Sequence, residues 1–127
     1  MHNHALSVLL AVALSISTSG VMAANLSFDE VLQAVQDGDY ATAAARVHVV
    51  AEQGDPRAQE ILGFMLIWGE RLYGAAVRTD PVAGRKWLAQ AASSGREAAA
   101  FYLRRFAERQ AAQQVTTDSQ NLEQPSR

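Results

Sequence analysis

The chain has 127 residues, enough for one domain and a tail. Its hydrophobic fraction is 49%, much of it alanine, with 7% aromatic residues and no cysteine, which points to an all-α fold and excludes a disulfide framework. A formal net charge of -2, with Lys86 the only lysine, excludes a general nucleic-acid binder, because that role needs a concentrated basic surface.

Residues 1–23 read as a cleaved signal peptide. Ala5 to Ile16 is an uncharged apolar run, Ser17 to Gly20 is small and polar, and Val21-Met22-Ala23 places small residues where a signal peptidase reads. The segment before the apolar run, Met1-His2-Asn3-His4, has no lysine or arginine. A membrane-spanning helix would need about 20 predominantly apolar residues, and the polar run interrupts well before that length. Cleavage after Ala23 is expected, with delivery to the periplasm or medium and membrane contact only during export. No cysteine is present to be lipidated.

From there the chain reads as about five helices over residues 24–110. Ser27-Phe28-Asp29-Glu30 is a capping box opening the first, with Phe28, Val31, Leu32 and Val35 on one stripe until Asp37-Gly38. The second starts at Asp39, carries Tyr40, Ala43, Val47 and Val50 inward, and stops at Gly54. Asp55-Pro56 is an N-cap followed by proline at the first helical position, and the third helix runs to about Trp68 with Ile61, Leu62, Met65 and Leu66 at helical spacing. Residues 69–79 hold two glycines without a period and read as a loop. Asp80-Pro81 opens a fourth helix with Trp87, Leu88, Ala91 and Ala92 inward, closed by Gly95. A fifth begins near Arg96 with Ala99, Tyr102, Leu103 and Phe106 inward. Residues 111–127 are sparse in apolar side chains and read as a disordered tail.

Asp39 to Gly54 aligns with Asp80 to Gly95 without a gap, so the chain carries an internal repeat in one fixed register. In that register Ala51 falls on Ala92, Ala58 on Ala99 and Leu62 on Leu103. A repeating helix pair that buries its faces by stacking is the logic of an α-solenoid. The pattern Gly54-Asp-Pro-Arg-Ala58-Gln59-Glu-Ile-Leu62-Gly63, followed by Asp80…Trp87-Leu-Ala-Gln-Ala91-Ala92-Ser-Ser-Gly95, resembles the Sel-one-like repeat family, relatives of tetratricopeptide repeats. The resemblance spans about Asp39 to Phe106. It implies a short right-handed superhelix of antiparallel helix pairs, and a role as an adaptor that presents a helical surface to another protein or peptide. The chain departs from the family pattern at Arg46 (where the other copy has Trp87), at Gly84 (usually alanine) and at Arg104 (in register with Gly63). Such stacks usually need about three repeats, so the open end is expected to be covered by the first helix, by self-association or by a partner.

Chemistry-bearing residues are few. His48 is the only histidine after residue 23 and has Glu52 four positions on as a helical partner; a metal site would need three or four ligands. Asp39, Asp55 and Asp80 stand where N-caps belong. Ser27, Ser93 and Ser94 have no histidine beside them to act as a base, and no phosphate-binding loop or dinucleotide fingerprint occurs. Gly63 inside a helix is read as a close-packing site, and Gly84 has no explanation at this level. Trp68, Arg71, Leu72, Tyr73 and Arg78 gather aromatic and arginine residues around the end of the third helix. They are the candidate partner-binding residues, since these types are enriched in binding hot spots; the reading weighed ahead of this one is that Trp68 finishes the core and Tyr73 lies across it. The expectation is an exported, non-enzymatic interaction module without cofactor or metal. The alternatives are a cell-wall or β-lactam-acting hydrolase, as credited to cysteine-rich relatives of the family, and a regulatory subunit of an exported enzyme.

Overall fold

A computed structural model describes residues 25–122. The expected signal peptide and the last five residues lie outside the described part. Within it are six α-helices: α1 (Phe28–Gln36), α2 (Tyr40–Glu52), α3 (Pro56–Trp68), α4 (Glu70–Tyr73), α5 (Pro81–Ser93) and α6 (Glu97–Leu122), with a 3-10 turn at Gly74–Ala76. The helices form an all-α bundle in which α1 packs on α2, α2 on α3, α3 on α5 and α5 on α6.

Local chemistry sets the boundaries. Ser27 and Glu30 form the reciprocal capping box, with the Glu30 carboxylate accepting the Ser27 N–H at 2.8 Å. Asp39 accepts the N–H of Thr42 at 3.1 Å and Asp80 that of Ala83 at 3.0 Å, the same contact at equivalent positions of the two repeats. Asp55 accepts the N–H of Arg57 at 2.8 Å. Each cap is worth about 1 kcal/mol. The helix ends repeat as well. After α2, Gly54 (φ +93°) donates to the Ala51 carbonyl and Asp55 to that of Val50; after α5, Gly95 (φ +89°) donates to Ala92 and Arg96 to Ala91. This paired closure satisfies orphan carbonyls and needs a left-handed residue, which glycine adopts without a Cβ penalty.

The tightest crossing is α3 against α5, and two glycines make it. A Cβ built on Gly84 would stand 2.7 Å from the Gly63 carbonyl oxygen and 2.8 Å from Ile67 Cγ1. One built on Gly63 would strike the Leu88 side chain at 2.6 Å and the Gly84 carbonyl at 2.9 Å. The two backbones meet where neither helix carries a side chain, which accounts for Gly84 as well as Gly63.

The main core gathers Val31, Val47, Val50, Leu62 and Met65 with small alanines from α1, α2 and α3, and a second cluster forms around Leu88, Ala91 and Ala99. Trp87 is half-buried against the first cluster.

Two segments differ from the sequence reading. Residues 69–79 are not an unpatterned loop: the Gly69 carbonyl accepts the N–H groups of Leu72 and Tyr73, closing the single turn α4, and Val77 then drops back into the main core. A single turn is too short to show a helical period. The segment expected as a disordered tail continues α6 as helix to Leu122. Between Glu97 and Leu122 stands neither glycine nor proline, and Thr116, Thr117 and Ser119 return their hydroxyls to the carbonyls four residues back. Nothing local ends the helix, although its side chains from Ala107 onward are exposed.

Candidate functional site

Between the C-terminal half of α3 and the first turns of α6 lies an open groove of about 440 Å³. Helical spacing explains its walls. Phe64 and Trp68 stand one turn apart on α3, while on α6 Phe101, Arg105 and Arg109 follow at four-residue steps, with Tyr102 three residues before Arg105. The Phe64 and Tyr102 rings meet edge to face at 5.6 Å between centroids and close the groove floor. Tyr102 stacks on Phe106 at 6.5 Å, and the Arg85 guanidinium from α5 lies 4.4 Å over the Phe106 ring. A second depression, lined by Ile67, Trp68 and Phe106 among others, carries the groove on toward Gln113.

The angle of the α6 wall is set by a buried carboxylate. Glu60 of α3 is 8% exposed. It accepts from Arg96 through both Nε and Nη2, and from the Ala99 N–H at 3.3 Å. Ala99 lies in the first turn of α6, where backbone donors lack intrahelical partners and the helix dipole favours a negative charge. Glu60 therefore caps α6 from another helix, and its hydrogen bond raises the Arg96 pKa above the ordinary arginine value. Next to it, buried Gln59 donates to the Ala51 carbonyl at 3.3 Å, tying α3 to α2.

The groove is apolar with a basic rim. Trp68 is 42% exposed and Phe101 56%, large values for such side chains. No carboxylate is among the residues lining it. Arg105 pairs with Glu108 at 2.9 Å, whereas Arg109 forms no ion pair among the described residues.

The sequence-predicted candidates separate. Trp68 lines the groove. Tyr73 does not: its ring meets that of Tyr40 edge to face at 5.3 Å and packs on the main core, and that burial, with Tyr40 beside it, raises the phenol pKa. Leu72 is 61% exposed on α4, and Arg71 and Arg78 are exposed in the same connecting segment; none of the three lines the groove. The sequence reading did not single out Phe64 or Phe101 and expected Tyr102 inward, whereas Arg105 and Arg109 belong to the basic edge that Arg104, Arg105 and Arg109 already form in the sequence of the last helix. The repeat register holds a signal for them, because it sets Phe64 on Arg105 and Trp68 on Arg109.

His48 pairs with Glu52 at 3.2 Å and lies edge-on to Trp87 at 6.0 Å. Among the described residues no three of His, Cys, Asp and Glu converge as metal ligands would, and no helix is long and apolar enough to cross a membrane. Neither a protein-family model, nor a characterised protein, nor a solved structure matches the chain.

Proposed function

We propose that this protein is an exported helical-repeat adaptor of the Sel-one-like kind, a short solenoid whose α3–α6 groove holds a segment of another protein. The observation that carries the reading is the groove itself: exposed aromatic side chains with arginines and no acid in its lining. That chemistry selects a peptide with an aromatic or aliphatic anchor flanked by Asp or Glu. The anchor removes apolar surface from water and the carboxylates meet Arg109 and Arg105. Support for stacked repeats comes from the N-caps at Asp39 and Asp80 and the helix closures at Gly54 and Gly95, which recur in one register.

Selection from a random peptide library on the purified protein tests this. Peptides rich in aromatic and acidic residues should be enriched. Their affinity should fall by about tenfold or more with Trp68→Ala or Arg109→Glu, with unchanged helical circular dichroism. Binding indifferent to both substitutions would remove the groove from consideration. Export is tested separately by fractionating cells and determining the mature N-terminus, which should begin at Ala24.

A further inference from the structure

The repeat register identifies a second surface, which shares only Phe101 with the groove. On α3, Glu60, Gly63 and Ile67 form the face that neighbouring helices cover: Glu60 lies under the start of α6, while Gly63 and Ile67 crowd Gly84 of α5. At the equivalent positions of the next repeat, the same face of α6 carries Phe101, Arg104 and Glu108, and all three are exposed. The surface on which one repeat stacks in the body of the protein is therefore uncovered at its end. The face continues at a spacing of three and four residues through Ala111 and Val115. Phe101, Val115 and Leu122, all on α6, are three of the seven large hydrophobic side chains most exposed in the described structure. This face lies roughly opposite the buried Ala99 side of the helix, since successive residues turn by about 100°.

The order of residues on this face names its occupant. An interface between two identical copies must be self-complementary about a two-fold axis. In an antiparallel pair centred on position 106, residue 104 meets 108 of the other copy and residue 101 meets 111. Arg104 then faces Glu108 twice, once on each side of the axis, and joins the Arg105 that holds the same carboxylate within each copy at 2.9 Å. Phe101 lies over the small Ala111, again twice. Exposed Ala100 and Ala107 flank the seam and let the helices approach. A shallow depression of about 330 Å³ lined by Glu97, Ala100, Phe101 and Arg104 lies where the second copy's Val115 arrives. A parallel pairing would instead stack Arg104 on Arg104 and Glu108 on Glu108, which like-charge repulsion opposes.

We infer that the outer face of α6 pairs antiparallel with the same face of a second copy, joined by reciprocal Arg104–Glu108 ion pairs and by Phe101 packing on Ala111. The pairing covers the open end of the helical stack and gives a partner to the exposed helical turns beyond Ala107. Phe64, Trp68 and Tyr102 lie away from this face and stay accessible, while Phe101, at the edge of the α3–α6 groove, belongs to both surfaces; the pairing does not rest on that groove binding a peptide.

Charge reversal tests the proposal on the full chain as its cell processes it, by sedimentation and light scattering between micromolar and millimolar concentration. The expected result is twice the protomer mass at the upper end. Arg104→Glu and Glu108→Arg should each weaken association by about tenfold or more, without loss of helicity because both residues are exposed. The double variant should recover it, and the two single variants mixed together should associate while each alone does not. The cysteine-free background gives a second measurement of orientation. Ala107→Cys should form a disulfide-linked dimer, whereas Leu122→Cys should not, because its two copies would lie about 48 Å apart along the paired helices. A strictly monomeric protein at millimolar concentration would overturn the inference. So would association indifferent to charge reversal, or a dimer linked through position 122.

Discussion

Gly84→Ala is the sharpest test of how this fold is held together, because two effects of opposite sign meet there. Alanine in a helix interior is favoured over glycine by about 1 kcal/mol, so helix propensity alone predicts a more stable protein. The crossing predicts the reverse. The new Cβ would stand 2.7 Å from the Gly63 carbonyl oxygen, while ordinary contact begins near 3.4 Å, so α3 and α5 must part by about 0.7 Å. The obstructing atom belongs to a helix backbone and cannot swing aside as a side chain would. A gap of that size forfeits roughly a quarter to a half of the dispersion energy of each contact across it. Leu88, fully buried at this crossing, bears much of that loss. Overpacking of this kind costs about 1–3 kcal/mol, and the backbone contact places it near the upper end. With the propensity gain subtracted, a net loss of about 2 kcal/mol is expected, or roughly 10 °C in Tm for a domain of this size. Thermal unfolding followed by far-ultraviolet circular dichroism, checked by urea titration, measures it. Ala89→Gly on the exposed side of the same helix serves as the propensity control and should lose about 1 kcal/mol. If Gly84→Ala raises Tm instead, the close backbone crossing is not what requires glycine there.

Three further outcomes follow from the geometry. Glu60→Gln should weaken the bonds that hold the start of α6 and lower stability by about 1–3 kcal/mol; hydrogen exchange should quicken first around Ala99, and unchanged protection there would contradict the capping role. Leu72→Ala, at an exposed position, should change stability by no more than about 0.5 kcal/mol, whereas Tyr73→Ala, which removes the Tyr40 contact, should cost about 2 kcal/mol; equal effects would return both residues to one surface patch. The Asp55 carboxyl is held below the usual aspartate range by its Arg57 partner first and by backbone N–H groups of Arg57 and Ala58, and Asp39 is lowered by its Thr42 hydrogen bonds. Their contribution is therefore fully present above about pH 4 and is lost as the pH falls through the depressed folded-state values, where the unfolded chain binds more protons. Urea titrations between neutral pH and pH 2 should show a smaller acid loss for Asp55→Asn than for the parent, and equal slopes would refute the assignment.

What the sequence determines by itself is local. Ser27, Asp39, Asp55 and Asp80 as caps, Gly54 and Gly95 as helix ends, and the register of the repeat are legible because each signal lies within one helical turn or recurs at a fixed offset. The same locality explains the misreadings. The single turn of α4 is too short to show a period. Residues 111–122 look disordered in sequence because they have nothing to bury, yet a helix needs only good formers and no breaker to continue along its own axis. Tertiary structure alone decides the rest. Gly84 acquires a reason only when its backbone meets Gly63, and Glu60 becomes a helix cap only by reaching from α3 across to Ala99. The binding candidates around Trp68 divide in the same way. Tyr73 goes to the core, while Trp68 joins Phe64, Tyr102 and Arg109 in a groove. Such a groove is a relation between helices of two different repeats, and the spacing of residues along either helix does not encode the angle at which the two meet. Packing at the glycine crossing and the Glu60–Arg96 contact fix that angle.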